Sequence, residues 1–538
     1  MFLKPYKFIR PSIYIVFAFL ILSRLFLWLS IDWSSITDNN LLATQRSYKI
    51  DNLPIHFMVY WPDSGRYWPL HPQTFIESLI YLKTIPVSSL LQYLFFLPIR
   101  VFSGNIAFAI IAQNILSLTT AWVLYIMLKP AGKGLAALTI LLTFGNLLTV
   151  SLEYALLREI LNRFLVIVFI FMAWKITLLQ KSKIIPQKSS YLISQRLKLL
   201  TIITSIIMFL MVLSRPEMIM ILAIFIPIFY LRWDIKFWRI ISATGIFSLG
   251  FLFIWSQTIP HQTLESPSSA YSNLEKELAK RAGPANLLLQ TLLIDSYDYK
   301  SHELNNLPKK IYSQAKKCEE IFHIKCQTPP YSRYQFFQNL RDNAILDWAK
   351  KNEITSFKLF DLYWDIFKYN TRYIFYSAFY SLKSYFLGKM DTVSPLIYAG
   401  KNKNYISGWP YFSSSSVFRF GDPLSELSPK SPERGPRWLY FSLAPFSEQW
   451  LRTVCAPFFL IGLYLICKNI FLEVSDNKLK VREFWRLGLP LILIVLPIMS
   501  VIGVRNSRYL FYLDPFIFAS SALGIRATLK WFFINKTR

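Results

Sequence analysis

The chain has 538 residues, of which 54% are hydrophobic, 17% aromatic and only 17% charged, with a formal net charge of +28. With a positive mean hydropathy, this composition excludes an ordinary soluble enzyme and reads as a multi-pass membrane protein. Nucleic-acid binding is not what the charge reports, because the Lys and Arg residues stand in short clusters between apolar runs and not in one basic domain.

The first apolar run, "IYIVFAFLILSRLFLWLSI", follows "MFLKPYKFIR". It exceeds a signal-peptide h-region and lacks a small-residue cleavage site, so it reads as a retained anchor spanning about Pro11–Ile31. Lys4, Lys7 and Arg10 hold its start in the cytoplasm, and the loop 32–105 then lies outside. That loop carries "YWPDSGRYWPLHP", Tyr60–Pro72. The next apolar stretch, Ile85–Phe102, is assigned to the outer interface, because a crossing there would put the basic loops at Lys129–Gly134 and Lys181–Lys198 outside.

The remaining spans are expected at about Ile106–Leu128, Leu135–Val150, Ile160–Leu179, Leu199–Leu213, Met218–Leu231, Phe237–Ser256, Leu451–Ile466, Leu487–Val504 and Tyr509–Ile525. That makes ten, with both termini cytoplasmic. Lys129/Lys133, Lys181–Lys198, Arg232/Lys236/Arg239, Lys478/Lys480/Arg482/Arg486 and the tail then all face the cytoplasm. Lipid offers backbone amides no partners, so each span is helical, and the runs lack the alternation of barrel strands. The expected fold is therefore an all-α polytopic membrane protein of the plasma (cell inner) membrane. It comprises an N-terminal transmembrane module (1–257), an extracytoplasmic domain (258–450) and C-terminal transmembrane helices (451–538).

The 258–450 region is rich in Ser, Pro, Asn and Tyr, and its stretch Arg341–Tyr369 has apolar residues at helical spacing that fit interfacial helices. Cys318 and Cys326 stand where a local disulfide is allowed, and Cys455 and Cys467 read as packing residues in a span. Four cysteines are too few for a disulfide scaffold, and no Cys/His cluster has zinc-ligand spacing.

Charges that break the inside-positive pattern are the candidate site. Arg158, Arg163, Arg215, Arg505 and Arg508 fall at outer helix ends, where guanidinium forks suit phosphate. The alternatives are pairing with Glu159 and Glu217, or reaching to lipid headgroups. Arg24, inside the first span, serves the same cavity or pairs with a buried carboxylate. The acids on that side are Asp63, Glu77, Glu153, Glu159, Glu217 and Asp514. Asp63 stands among Tyr60, Trp61, Tyr67 and Trp68, a partly desolvated setting for a base acting on a sugar or other hydroxyl. "PDSG" is also a good type I turn, and Asp32, at the mouth of the first helix, is a rival acid.

The order of these elements resembles the GT-C superfamily of membrane glycosyltransferases that use polyprenyl-phosphate sugars, such as protein O-mannosyltransferases and lipid A aminoarabinose transferases. "DSGRY" (Asp63–Tyr67) resembles the family's acidic motif in the first outer loop, with "DS" in place of the commoner "DE" and a longer distance from the first helix. Ile85–Phe102 resembles its juxtamembrane helix, "LREILNRFLVIV" with Glu159 its second acidic element, and "SRPEM" and "RYLFYLDP" its later Arg elements. The resemblance covers about Pro11–Gly250 and the last spans. It implies Asp63 as base and Glu159 as a second acid orienting substrate or a metal ion. It also implies that Arg215, Arg505 and Arg508 hold the donor phosphate, with Arg66 and Tyr67 at the substrate. The implied partners are a polyprenyl-phosphate-sugar donor, a glycan, lipid or protein acceptor, and the bilayer. No Gly-rich phosphate loop is present, so no nucleotide cofactor is expected, and two carboxylates leave metal dependence open. A glycan polymerase or O-antigen-ligase-like protein shares the outer loop and arginines but would not use an early Asp. A lipid-linked glycan transporter would show internal repeats, and none is evident.

Overall fold

The structure, a computed structural model, describes residues 13–30, 33, 68, 76–77, 87–154, 156, 158–182, 190–224, 235–258, 386, 436–470, 476–496 and 511–536. Among them every element is helical. In chain order these are α1 (Ile13–Ser30), α2 (Val87–Ser103), α3 (Ile106–Leu128), α4 (Lys133–Phe144), α5 (Leu147–Tyr154), α6 (Glu159–Ser182) and α7 (Ser190–Ser214). They continue with α8 (Ile235–Thr258), α9 (Pro436–Ile470), α10 (Asp476–Pro490) and α11 (Asp514–Lys536).

Four helical segments among the described residues are long and apolar enough to cross a membrane: Ile106–Ala131, Glu159–Gln180, Ile193–Ser214 and Leu451–Lys468. Ile13–Leu25, Leu90–Ser103 and Lys133–Phe144 are apolar but shorter. The exposed face of α8 carries Ile240, Phe247 and Ile254, and that of α3 carries Phe108, Ile115 and Trp122. Rows of large apolar side chains turned outward suit hydrocarbon and not water. The described elements are thus all helical, with four segments suited to span a membrane.

Three expected spans differ in their interior. The run expected as Leu135–Val150 breaks at Gly145–Asn146 into α4 and α5. The run expected from Met218 opens as 3-10 turns over Pro216–Ile224, next to a proline that cannot donate to the preceding helix. The run expected from Leu487 is a continuation of α10, which starts at Asp476 and passes into a π-helical turn at Leu491–Val495 directly after Pro490. Hydropathy counts side chains, so breaks of the backbone ladder within an apolar run escape it. Nearly all of the 258–450 domain, with Cys318, Cys326 and the Arg341–Tyr369 stretch, lies outside the described residues. Cys455 is a buried free thiol.

One core joins α1, α3, α4, α6, α7, α8, α10 and α11 through Leu20, Leu124, Phe144, Ile170, Met208, Trp238, Phe484 and Phe516. α9 and α11 pack most closely. A Cβ at Gly462 would sit 1.9 Å from the Ser520 carbonyl oxygen, and one at Gly524 would sit 1.9 Å from that of Phe458. Only glycine allows this approach of two backbones.

Two polar levels emerge from the connections. At one end α3 turns into α4 through Lys129–Gly132, where Gly132 has φ 131° and Arg526 Nη1 donates to the Ala131 carbonyl at 2.8 Å. Trp174 Nε1 also donates toward this side, to the Lys480 carbonyl at 2.9 Å. Lys129, Lys133, Lys480 and Arg526 therefore collect at one end. The starts of α3, α6 and α11 and the end of α7 lie towards the other.

Candidate functional site

The site begins with the break at Gly145–Asn146. Ending α4 there frees carbonyls that an unbroken helix would satisfy, and buried carbonyls need partners. Thr149 Oγ1 donates to the Thr143 carbonyl at 2.7 Å, and Arg24 Nη2 donates to that of Phe144 at 2.9 Å. Asn146 Oδ1 accepts from the Thr149 amide at 2.8 Å, which caps α5.

α5 then delivers Glu153 to the same arginine. Arg24 Nη2 lies 2.7 Å from Glu153 Oε1, with Arg24 4% and Glu153 0% exposed. Ser117 donates to that carboxylate, Gln113 Nε2 donates to the Glu153 carbonyl at 3.0 Å, and the Tyr154 hydroxyl donates to the Arg24 carbonyl. Ser117 and Phe144, which stand beside Arg24 and Glu153, each lie about three turns from the start of their own helices, roughly 16 Å. That is near half the thickness of a bilayer core of about 30 Å. The pair therefore sits deep in the bundle, and a charge at that depth requires such a partner.

The start of α6 carries the second and third pairs. Glu159, its first residue, faces a helix N-terminus that favours negative charge, and its Oε1 lies 3.4 Å from Arg215 Nη2. Both side chains are buried. Arg215 stands where α7 gives way to the Pro216–Ile224 turns. Its amide bonds the Met211 carbonyl, and its carbonyl accepts from the Met218 amide, each at 2.9 Å. Ser214 donates to Asn162 Oδ1, and Arg158 Nη1 donates to the Ser214 carbonyl at 3.4 Å. These bonds lock the end of α7 onto the first turn of α6.

One turn further along α6, Arg163 Nη2 lies 3.6 Å from Asp514 Oδ2 at the start of α11. Its Nε donates to the Phe511 carbonyl at 3.2 Å, its Nη atoms reach Thr149 Oγ1 at 3.2 and 3.3 Å, and its guanidinium lies 3.1 Å from the centroid of the Phe511 ring. The Phe144 ring is 5.2 Å away. Arg163 thus ties the α4–α5 break, α6 and the start of α11 together.

Of the "DSGRYW" motif, Trp68 is described and buried. Its ring is 5.9 Å from that of Phe96 and 5.7 Å from the Arg100 guanidinium, so it rests on the last turns of α2, just ahead of the α3 start. Glu159 and Arg215 are brought into contact. Asp63, Arg66, Tyr67, Arg505, Arg508 and the rival Asp32 lie outside the described residues. For Arg24 the structure contains the carboxylate-pairing alternative, through Glu153, and for Arg215 it contains the pairing with Glu159. Thr149, Ser117, Gln113 and Tyr154 were not among the residues singled out from sequence. The Gly-Asn pair inside the apolar "TFGNLLT" is the signal that could have exposed them. Among the described residues no group of three or more His, Cys, Asp or Glu is placed to hold a metal ion.

No protein-family model matches the chain, and no match was found among curated proteins or solved structures.

Proposed function

We propose that the chain is a membrane glycosyltransferase that moves a sugar from a polyprenyl-phosphate donor to an acceptor hydroxyl on the extracytoplasmic face, with inversion. In this reading ten helices cross the membrane, both termini are cytoplasmic, and residues 258–450 form the outer domain. The observation that carries it is the division of charge along the bundle. Lys129, Lys133, Lys480 and Arg526 collect at one end, with Arg482 and Arg486 on the buried Glu483 carboxylate, whereas the Glu159–Arg215 and Arg163–Asp514 pairs and Trp68, the close of the "DSGRYW" motif, lie towards the other. Basic residues favour the cytoplasmic side, which supports reading that end as cytoplasmic and the end of Glu159, Arg215, Arg163 and Asp514 as outer.

In the reaction, the acceptor oxygen attacks the anomeric carbon as its proton passes to Asp63. The bond from that carbon to the phosphate oxygen breaks, and polyprenyl phosphate leaves with the electron pair. Arg215, Arg505 and Arg508 stabilise the charge that grows on the departing phosphate. Glu159 orients the acceptor, while Arg66 and Tyr67 hold the substrate beside Asp63.

The test is sugar transfer by the purified protein from a set of polyprenyl-phosphate sugars. Asp63→Asn is expected to lower transfer at least about 10²-fold, a common share of general-base catalysis, with membrane insertion unchanged. Near-normal transfer by Asp63→Asn together with loss in Asp32→Asn moves the base to Asp32. Translocation of intact lipid-linked sugar without transfer selects the transporter.

A further inference from the structure

We infer that Glu159 is the internal occupant of the phosphate site at Arg215, and that the donor phosphate must displace it before transfer. The inference rests on the glycosyltransferase reading and deepens it by fixing an order of binding. Both residues belong to the proposed site, yet they bind one another, Oε1 to Nη2 at 3.4 Å, and both are buried. A carboxylate and a phosphate oxygen compete for the same guanidinium edge, and a phosphate brings more charge and more acceptor oxygens. The contact is also looser than that of Arg24 with Glu153, which is 2.7 Å and reinforced by Ser117.

The surroundings make the exchange local. The Arg215 backbone is fixed on both sides by the bonds to Met211 and Met218, and the end of α7 is held to α6 by Ser214, Asn162 and Arg158. Arg215 therefore stays in place as its partner changes. Glu159 opens α6, so rotation of its side chain moves the carboxylate without moving the helix, and the positive helix end still faces it. A donor phosphate at Arg215 frees the carboxylate to accept a hydrogen bond from the acceptor hydroxyl. Donor binding then precedes productive acceptor binding, because the carboxylate stays on Arg215 until a phosphate replaces it there.

The experiment titrates the full chain in lipid nanodiscs with undecaprenyl phosphate and, as the uncharged control, undecaprenol. Glu159→Gln keeps the side chain's size and removes the competing charge. It is expected to bind undecaprenyl phosphate about tenfold more tightly, the scale of one charge-assisted contact no longer lost, with undecaprenol unchanged. Arg215→Gln is expected to lose the preference for the phosphate, and in its background Glu159→Gln should give no gain. Unchanged or weaker phosphate binding by Glu159→Gln overturns the inference, as does a gain that survives Arg215→Gln. Should Glu159→Gln fail to fold, Glu159→Asp, which shortens the reach to Arg215, should bind about threefold more tightly, and the absence of any gain is again fatal. If the wild-type protein does not prefer the phosphate to the alcohol, the donor reading itself fails and the inference with it; a wild-type preference without the Glu159→Gln gain defeats the inference alone.

Discussion

At the scale of single residues, a buried ion pair is informative because its two halves are unequal in what their removal does. Arg24 loses the Glu153 carboxylate, the Phe144 carbonyl and the Leu20 carbonyl if replaced by Met, and Glu153 is left charged at 0% exposure. Stranding such a charge costs about 3–5 kcal/mol, whereas replacing both partners by apolar residues is often neutral. Arg24→Met alone is therefore expected to destabilise strongly, and Arg24→Met with Glu153→Leu to recover most of the loss. Thermal unfolding of the single and paired variants in detergent checks this, and a paired variant as unstable as the single one would show that the Phe144 carbonyl bond dominates. The inside-positive rule singled out Arg24, Arg163 and Arg215 because each breaks the pattern. Glu159 was named as a partner without its arginine, and the match of Glu153 to Arg24 and of Asp514 to Arg163 was beyond the sequence, since which carboxylate meets which arginine depends on where the backbone bends.

Among elements, the close approach of α9 and α11 makes a specific demand on two glycines. A methyl at Gly462 or Gly524 would fall 1.9 Å from a carbonyl oxygen of the facing helix, a contact that only separation of the helices can relieve. Gly462→Ala and Gly524→Ala are each expected to cost about 1–3 kcal/mol, the range of overpacked sites, while Gly134→Ala, with nothing within 4 Å of its added Cβ, should be near neutral. Unfolding midpoints of the three variants, compared side by side, decide it. The existence of these helices was legible as continuous apolar runs. Their ends were less so: α9 begins before the expected Leu451, and α11 begins at Asp514 and not at Tyr509. Nor did hydropathy register the α4–α5 break, because Gly145 and Asn146 interrupt the hydrogen-bond ladder without interrupting the apolar character of the run.

For the whole molecule, the gathering of Lys129, Lys133, Lys480 and Arg526 at one end predicts a single sidedness. In a background freed of native cysteines, Ser103→Cys, exposed at the end of α2, should react with an impermeant thiol reagent added outside, and Lys133→Cys should react only after the membrane is opened. The reverse pattern would turn the proposed site towards the cytoplasm. The helical character of the described elements was readable because lipid restricts the backbone to helices. The same long-range contacts also impose a timetable on biosynthesis. Arg163 and the Phe511 carbonyl it binds are 348 residues apart, and Arg526 and the Ala131 carbonyl are 395 apart. At ordinary translation rates roughly 20 to 70 seconds pass between the emergence of Arg163 and that of Phe511. Throughout that interval α6 must hold a cation in the bilayer with Thr149 but without Phe511 or Asp514. α11, which emerges long after α6, is thus the helix that completes the pairing of Arg163, and a nascent chain stalled before it exposes an unfinished site to the quality-control machinery of the membrane.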